Sequence, residues 1–207
     1  MAIRAIAPYA IPGEQQLPAN TVSWRLDPAR CALLIHDMQQ YFLDPFADSK
    51  SILIERIAML RNFCIEAGVP VIFTVQPGHQ ERAERGLLLD FWGTGPDTRV
   101  EIPAELPTED AVVLTKRRYS AFHRTDLLGV LAERGRDQLL VCGVYAHIGC
   151  LATIVDAFMN DIEPFAVADA MGDFSLRHHM GALEHIATRC GSVVSAAAVR
   201  DVLAGTR

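Results

Sequence analysis

The chain has 207 residues, half of them apolar and 21% charged, which excludes a disordered or collagen-like protein. A chain of this length buries about 70% of the surface its unfolded form exposes, so it needs no disulfide or metal staple. Nineteen Lys and Arg against twenty-five Asp and Glu give a net charge of −6, and no basic run marks a nucleic-acid or anionic-membrane partner.

Residues 1–28 read as an extended arm. Its opening stretch carries Pro8, Pro12 and Pro18 and lacks the continuous apolar region of a signal peptide. Six short apolar runs follow: Cys31–Ile35, Val69–Val75, Ala111–Leu114, Gln138–Cys142, Phe165–Ala168 and Ser192–Val194. Most are continuous rather than alternating, the pattern of parallel strands buried on both faces. Between the first two, Ile54, Ile57, Leu60 and Cys64 fall at helical spacing and Gly68 closes the helix. Thr125–Arg134, ended by Gly135, reads the same way, and Asp173 or Ser175 caps a later helix running toward Cys190. The stretch from Leu139 to Val155 has no charged residue but is just short of the roughly 18–20 residues a membrane span requires; a strand followed by a buried helix accounts for it. The five cysteines are odd in number and widely spaced, as in a reducing cytosol. Six strands alternating with helical crossovers predict a single α/β domain: a three-layer α/β/α sandwich with an open six-stranded parallel sheet.

Such sheets collect ligands at the carboxyl ends of their strands. His36-Asp37 follows the first run, Gln76-Pro77 the second, Thr115-Lys116 the third and Gly143-Val144-Tyr145 the fourth. Asp37 and Lys116 make an acid/base pair, with a structural ion pair as the alternative reading. The segment from Gly78 to Pro107 is long enough for a lid. A helix beginning near Gly149 offers an anion site, but neither G-x-G-x-x-G nor a P-loop accompanies it. The seven histidines and five cysteines show no zinc-binding spacing, so no metal is expected.

HDMQQYF (36–42), FTVQPG (73–78), RGLLLDFWG (85–93), KRRYSAFHRTDL (116–127) and GVYAHIGCLATIVDAFMNDIEPFAVADAMGDFS (143–175) together resemble an isochorismatase, over nearly the whole chain. The resemblance takes in the isochorismatase domain of siderophore pathways and the phenazine-pathway hydrolase of aminodeoxyisochorismate. With no room for an aryl carrier domain the chain resembles the stand-alone form, and its cysteine usage and lack of a signal peptide predict a cytoplasmic protein; the resemblance implies a hydrolase without a cofactor, tending to a homodimer or larger assembly. The wider superfamily, nicotinamidases included, uses an Asp–Lys–Cys triad. Asp37 and Lys116 match its first two members. The nucleophile of that pattern lies seven residues before Asp156, which is Gly149. Cys150 is one residue off, and so turned by about 100° around a helix.

Without a thiol, the implied reaction is hydrolysis of an enolpyruvyl ether with Asp37 as general acid and Lys116 as catalytic partner. A cysteine-dependent amidohydrolase and a non-catalytic binding protein are the alternatives. Arg85 and Lys116 are expected to meet the carboxylates of a small dianionic substrate and Gln76 to hydrogen-bond it, with Gly149 bringing backbone close. Tyr145 joins them, in a turn where relatives tend to a cis bond after Val144; Phe42, Trp92 and Tyr119 wall the pocket. Arg117 stands where many relatives have Trp, and its direction decides whether a third cation enters the site.

Overall fold

A computed structural model describes residues 3–205. One parallel sheet carries all six strands, β1 (Cys31–His36), β2 (Val71–Val75), β3 (Val112–Thr115), β4 (Gln138–Val144), β5 (Glu163–Gly172) and β6 (Ser192–Val194). Their spatial order is β3-β2-β1-β4-β5-β6. The chain therefore winds outward from β1 to one edge, returns to β4 beside β1, and winds out to the other edge. The reversal lies between β1 and β4, where an open α/β sheet leaves a crevice at its carboxyl end.

The apolar residues of β1 divide between two layers, as the period of a strand dictates. Cys31, Leu33 and Ile35 pack on one face with Leu53, Ile57 and Leu60 of the helix Lys50–Glu66 and with Val199 of Ala196–Leu203. Ala32 and Leu34 face the other layer, built from Leu127–Glu133, Leu151–Met159 and Leu176–Arg189. Gly68, at φ 70, closes the first of these helices as its sequence implies. Ser175 caps Leu176–Arg189 by accepting from the His178 backbone N–H, whereas Asp173 is engaged elsewhere.

One expectation needs correction. The run at 111–114 does not lie between two covered faces: β3 is an edge strand whose residues alternate between half-buried and exposed, and Val113 is 46% exposed. The helix after β4 begins two residues beyond Gly149, at Leu151. A single π-helical turn, Ala146–Cys150, precedes Leu151–Met159, so Gly149 lies inside the turn. The 78–107 segment folds into two short helices, Arg82–Arg85 and Leu88–Trp92, with an extended return to residue 107. The arm packs along the sheet's ends. Ile6 N–H donates to the Pro45 carbonyl, and the Tyr9 hydroxyl accepts from the Asp173 N–H. All five cysteines are free and buried, and no helix among the described residues is long and apolar enough to cross a membrane.

Candidate active site

At the β1/β4 reversal the chain leaves the sheet abruptly. Asp37, directly after β1, has φ 51, a left-handed conformation Asp tolerates better than most residues. This aims its carboxyl across the end of β2 toward β3, and these two strand ends supply its partners. Oδ1 accepts from the Thr74 hydroxyl at 2.8 Å, and Oδ2 accepts from Gln76 Nε2 and from Lys116 Nζ, each at 2.7 Å. Gln39 fixes the rim: its Oε1 accepts from the Gln76 N–H, and its Nε2 donates to the Gln76 and Val100 carbonyls.

Lys116 is 1% exposed. Its ammonium donates to Asp37 and to the carbonyls of Arg118, at 2.9 Å, and Tyr119, at 3.2 Å. All three of its N–H groups are thereby engaged, so it offers charge rather than a spare donor. Burial pushes the Asp37 carboxyl up, but the Lys116 ammonium, the His36 ring and the Gln76 amide outweigh it and hold the group below the usual carboxylate range. Arg85, 3% exposed, donates from Nε to the Gly93 carbonyl and from Nη1 to Gln76 Oε1. Hydrogen bonds therefore run unbroken from Arg85 through Gln76 to Asp37 and Lys116.

Asp37, Lys116, Gln76, Arg85, Gly149, Tyr145, Phe42, Trp92 and Tyr119 all line one cavity. Trp92 Nε1 donates to the Tyr119 hydroxyl at 2.8 Å, joining the 88–92 helix to the loop after β3. Tyr145 presents its ring but commits its hydroxyl to the Phe42 carbonyl, and its bond to Val144 is cis. Sequence reasoning missed Ile3, Tyr41, Leu88, Ile148 and Phe174, which also line the cavity. It also missed Thr74, which orients Asp37. An isolated Ile in a proline-containing arm gives no signal, whereas Thr74 stands two residues before Gln76 on the same strand and was legible in principle. Arg117 turns away from the cavity and meets Glu84 at 3.2 Å, so it adds no third cation.

Cys150 does not line the cavity. It lies fully buried in the layer of Ala146, Ile154 and Ala157, and burial pushes its thiol far up. Cys150→Ala is expected to leave turnover within about twofold and to cost on the order of 1 kcal/mol by vacating core volume; steady-state kinetics and urea unfolding check both.

One arrangement of metal-ligand types does occur among the described residues, unseen in sequence because its members are far apart: His147, Asp173 and His178, with donor atoms within 4.8 Å. Asp173 is already occupied, accepting from the His147 N–H and ring and from the Phe174 N–H. The two imidazoles stack at 4.5 Å and 17°, while ligating rings hold an ion in their own planes. The cluster fits an anchor for the chain entering Leu176–Arg189 better than a metal centre.

His36 is buried, with Nδ1 2.9 Å from the Val144 carbonyl. Burial first, and the Lys116 charge second, hold it down to about 4, so the ring is neutral at pH 7. The unfolded chain, with an ordinary histidine near 6.5, binds a proton here before the fold does. Stability is thus expected to fall as pH drops from about 6.5 toward 4, by about 3 kcal/mol for this group alone. His179, lowered by burial, adds a slope of the same sign. The difference between the native chain and His36→Asn in stepped-pH urea unfolding isolates the His36 part.

The isochorismatase domain profile matches residues 31–198. The chain belongs to the isochorismatase family. It is 49% identical to the isochorismatase of Bacillus subtilis over 98% of this chain and 67% of that protein. Against the phenazine biosynthesis protein PhzD1 of Pseudomonas aeruginosa the identity is 50%, over 93% of this chain and 96% of the other. Against enterobactin synthase component B of Escherichia coli it is 46%, over 94% and 70%. A solved cysteine hydrolase from Pseudomonas syringae superposes with a TM-score of 0.82 at 26% identity, over 92% of this chain and 99% of that one. The chain is accordingly a hydrolase of the α/β class its sequence implies.

Proposed function

We propose that this isochorismatase-family enzyme hydrolyses the enolpyruvyl ether of isochorismate to pyruvate and a dihydro-dihydroxybenzoate, with Asp37 as general acid. The observation that carries the reading is the Asp37–Lys116 pair sealed at the end of a cavity with no nucleophile beside it. The basic site of an enolpyruvyl ether is its terminal methylene carbon. Asp37 delivers a proton there; the resulting oxocarbenium ion is captured by water, whose proton returns to Asp37. The hemiketal then breaks its C–O bond, releasing pyruvate and the ring alcohol. Oδ2 already accepts two hydrogen bonds, so Oδ1 has the spare capacity for the acidic proton.

Its partners hold Asp37 ionised, and substrate binding must reverse that. A dianion drawn to Arg85 and Lys116 offsets the positive charge that depresses the carboxyl and adds negative charge beside it; both raise its affinity for a proton. Phe42, Trp92 and Tyr119 keep bulk water from the ion formed. No step in this sequence calls for a metal or redox cofactor.

Asp37 is the one acid among the described lining residues, and it is already paired with Lys116. An ammonium in place of the ring hydroxyl finds no second carboxylate, which favours isochorismate. The near-equal identity to PhzD1 keeps aminodeoxyisochorismate as the second substrate to test. The five free buried thiols fit a reducing cytosol, and we read the described residues as a single hydrolase unit forming homodimers or larger assemblies. Purified protein is to be assayed for pyruvate from both ring substrates, with and without a chelator. Pyruvate release from isochorismate, unchanged by the chelator, is the expected result; no release from either substrate overturns the reading.

A further inference from the structure

Gly149 lines the cavity, yet its backbone does not require a glycine: it lies in a helical turn and is not among the glycines with positive φ. Alanine favours such a backbone more than glycine does. The obstacle is a neighbour. A Cβ at position 149 would stand 2.2 Å from Cε1 of His36, 3.0 Å from Nε2 and 3.1 Å from Nδ1. The imidazole cannot swing aside, being wholly buried and held by the Val144 carbonyl at Nδ1. Its Nε2 faces the Tyr119 carbonyl, which the Lys116 ammonium also meets, and its Nδ1 lies 3.7 Å from Asp37 Oδ2.

We propose that His36 is a specificity-determining residue: its ring fills the seat that a side chain at position 149 would take, beside the Asp37 carboxylate and the Lys116 ammonium. A thiol in that seat would have a carboxylate to take its proton and an ammonium to stabilise its anion, the environment that makes a nucleophile. With the imidazole in place no such group fits, and the Asp37–Lys116 pair is left to proton transfer alone. This inference rests on the ether-hydrolysis reading for its consequence in turnover, but its steric part is measurable without it.

The test is a double-mutant cycle on the full chain, reading pyruvate release and thermal melting. Gly149→Ala is expected to lower kcat by about 30-fold and to depress the melting temperature, because the ring must move. His36→Asn keeps a donor near the Nδ1 position while removing the far side of the ring. His36→Asn/Gly149→Ala should therefore recover to within about threefold of His36→Asn alone, a non-additivity that residues without mutual contact do not show. If Gly149→Ala does not fold, recovery of folding in the double variant is the same result read by melting. Failure of the double variant to recover in either measure, or native behaviour of Gly149→Ala, overturns the proposal. A second arm uses His36→Ala/Gly149→Cys treated with iodoacetamide, in which the thiolate attacks carbon and iodide leaves. Mass spectrometry should find residue 149 alkylated and the five buried native cysteines spared; an unlabelled residue 149 also overturns the proposal. Should the native chain release no pyruvate, the functional reading fails while melting and alkylation still decide the steric one.

Discussion

Asp37→Asn is expected to lower pyruvate release on the order of 10³-fold while leaving substrate affinity undiminished. The amide is isosteric. Its oxygen can accept from Gln76 and Lys116 where Oδ2 does now, and its nitrogen can meet the Thr74 hydroxyl in place of Oδ1. What disappears is the transferable proton. What also disappears is a negative charge next to the place proposed for a dianion, so binding should tighten rather than weaken. Single-turnover pyruvate formation and calorimetric titration separate the two effects. Turnover within tenfold of the native enzyme would remove Asp37 from the role of general acid.

Lys116→Met should remove turnover by at least about 10²-fold and, more tellingly, invert part of the protein's pH response. In the native chain the Asp37 carboxyl is held below its unfolded value, so the pair contributes stability above about pH 4 that is lost as pH falls through the lower, folded value. In the variant, burial acts without the ammonium to oppose it and the carboxyl rises. Leaving one member of a buried pair behind costs about 3–5 kcal/mol at neutral pH. That deficit should shrink on acidification, as protonation of Asp37 relieves the stranded charge; release of His36 from the Lys116 charge acts in the same direction. Urea unfolding of both chains near pH 7 and near pH 5 is the measurement. A deficit that stays constant or widens toward acid would mean that the buried contact carries no such energy.

These two outcomes, with the expected indifference to loss of the Cys150 thiol, distinguish three chemistries on one fold. A thiol amidohydrolase would fail on losing Cys150. A binding protein would keep its ligand and show no turnover to lose. An acid-catalysed ether hydrolase loses turnover at Asp37 and Lys116 and keeps it without the Cys150 thiol. The His36–Gly149 contact adds a reason for the third pattern, because it removes the space that a nucleophile at position 149 would need.

Much of the site was legible because its residues sit where strand periodicity ends. Asp37, Gln76, Lys116 and Tyr145 each follow an apolar run directly or within one residue of a strand's end, and parallel strands bring such ends together. The offset of Cys150 was legible for a related reason: a helical step fixes direction, and one residue of shift moved that thiol into the opposite core layer. The edge position of β3 was not legible, since an apolar tetrad reads the same whether one face or both are covered, and only strand order decides which. The π-helical turn at Ala146–Cys150 was equally hidden, since no residue pattern distinguishes such a turn from the first turn of an α-helix.

The sequence by itself determined the fold class, the two-layer core and the acid–ammonium pair, because apolar period and strand-end position are local properties that one chain displays directly. Only the tertiary structure decided that Arg117 turns outward to Glu84, that Ile3 of the arm reaches the cavity, that Thr74 and Gln39 hold the acid's surroundings, and that Gly149 is a glycine on account of His36. Each of these depends on which distant segments come to share a few ångströms of space. Close packing, with no gap left to absorb a misplaced methyl group, settles such contacts only when the whole chain is in place.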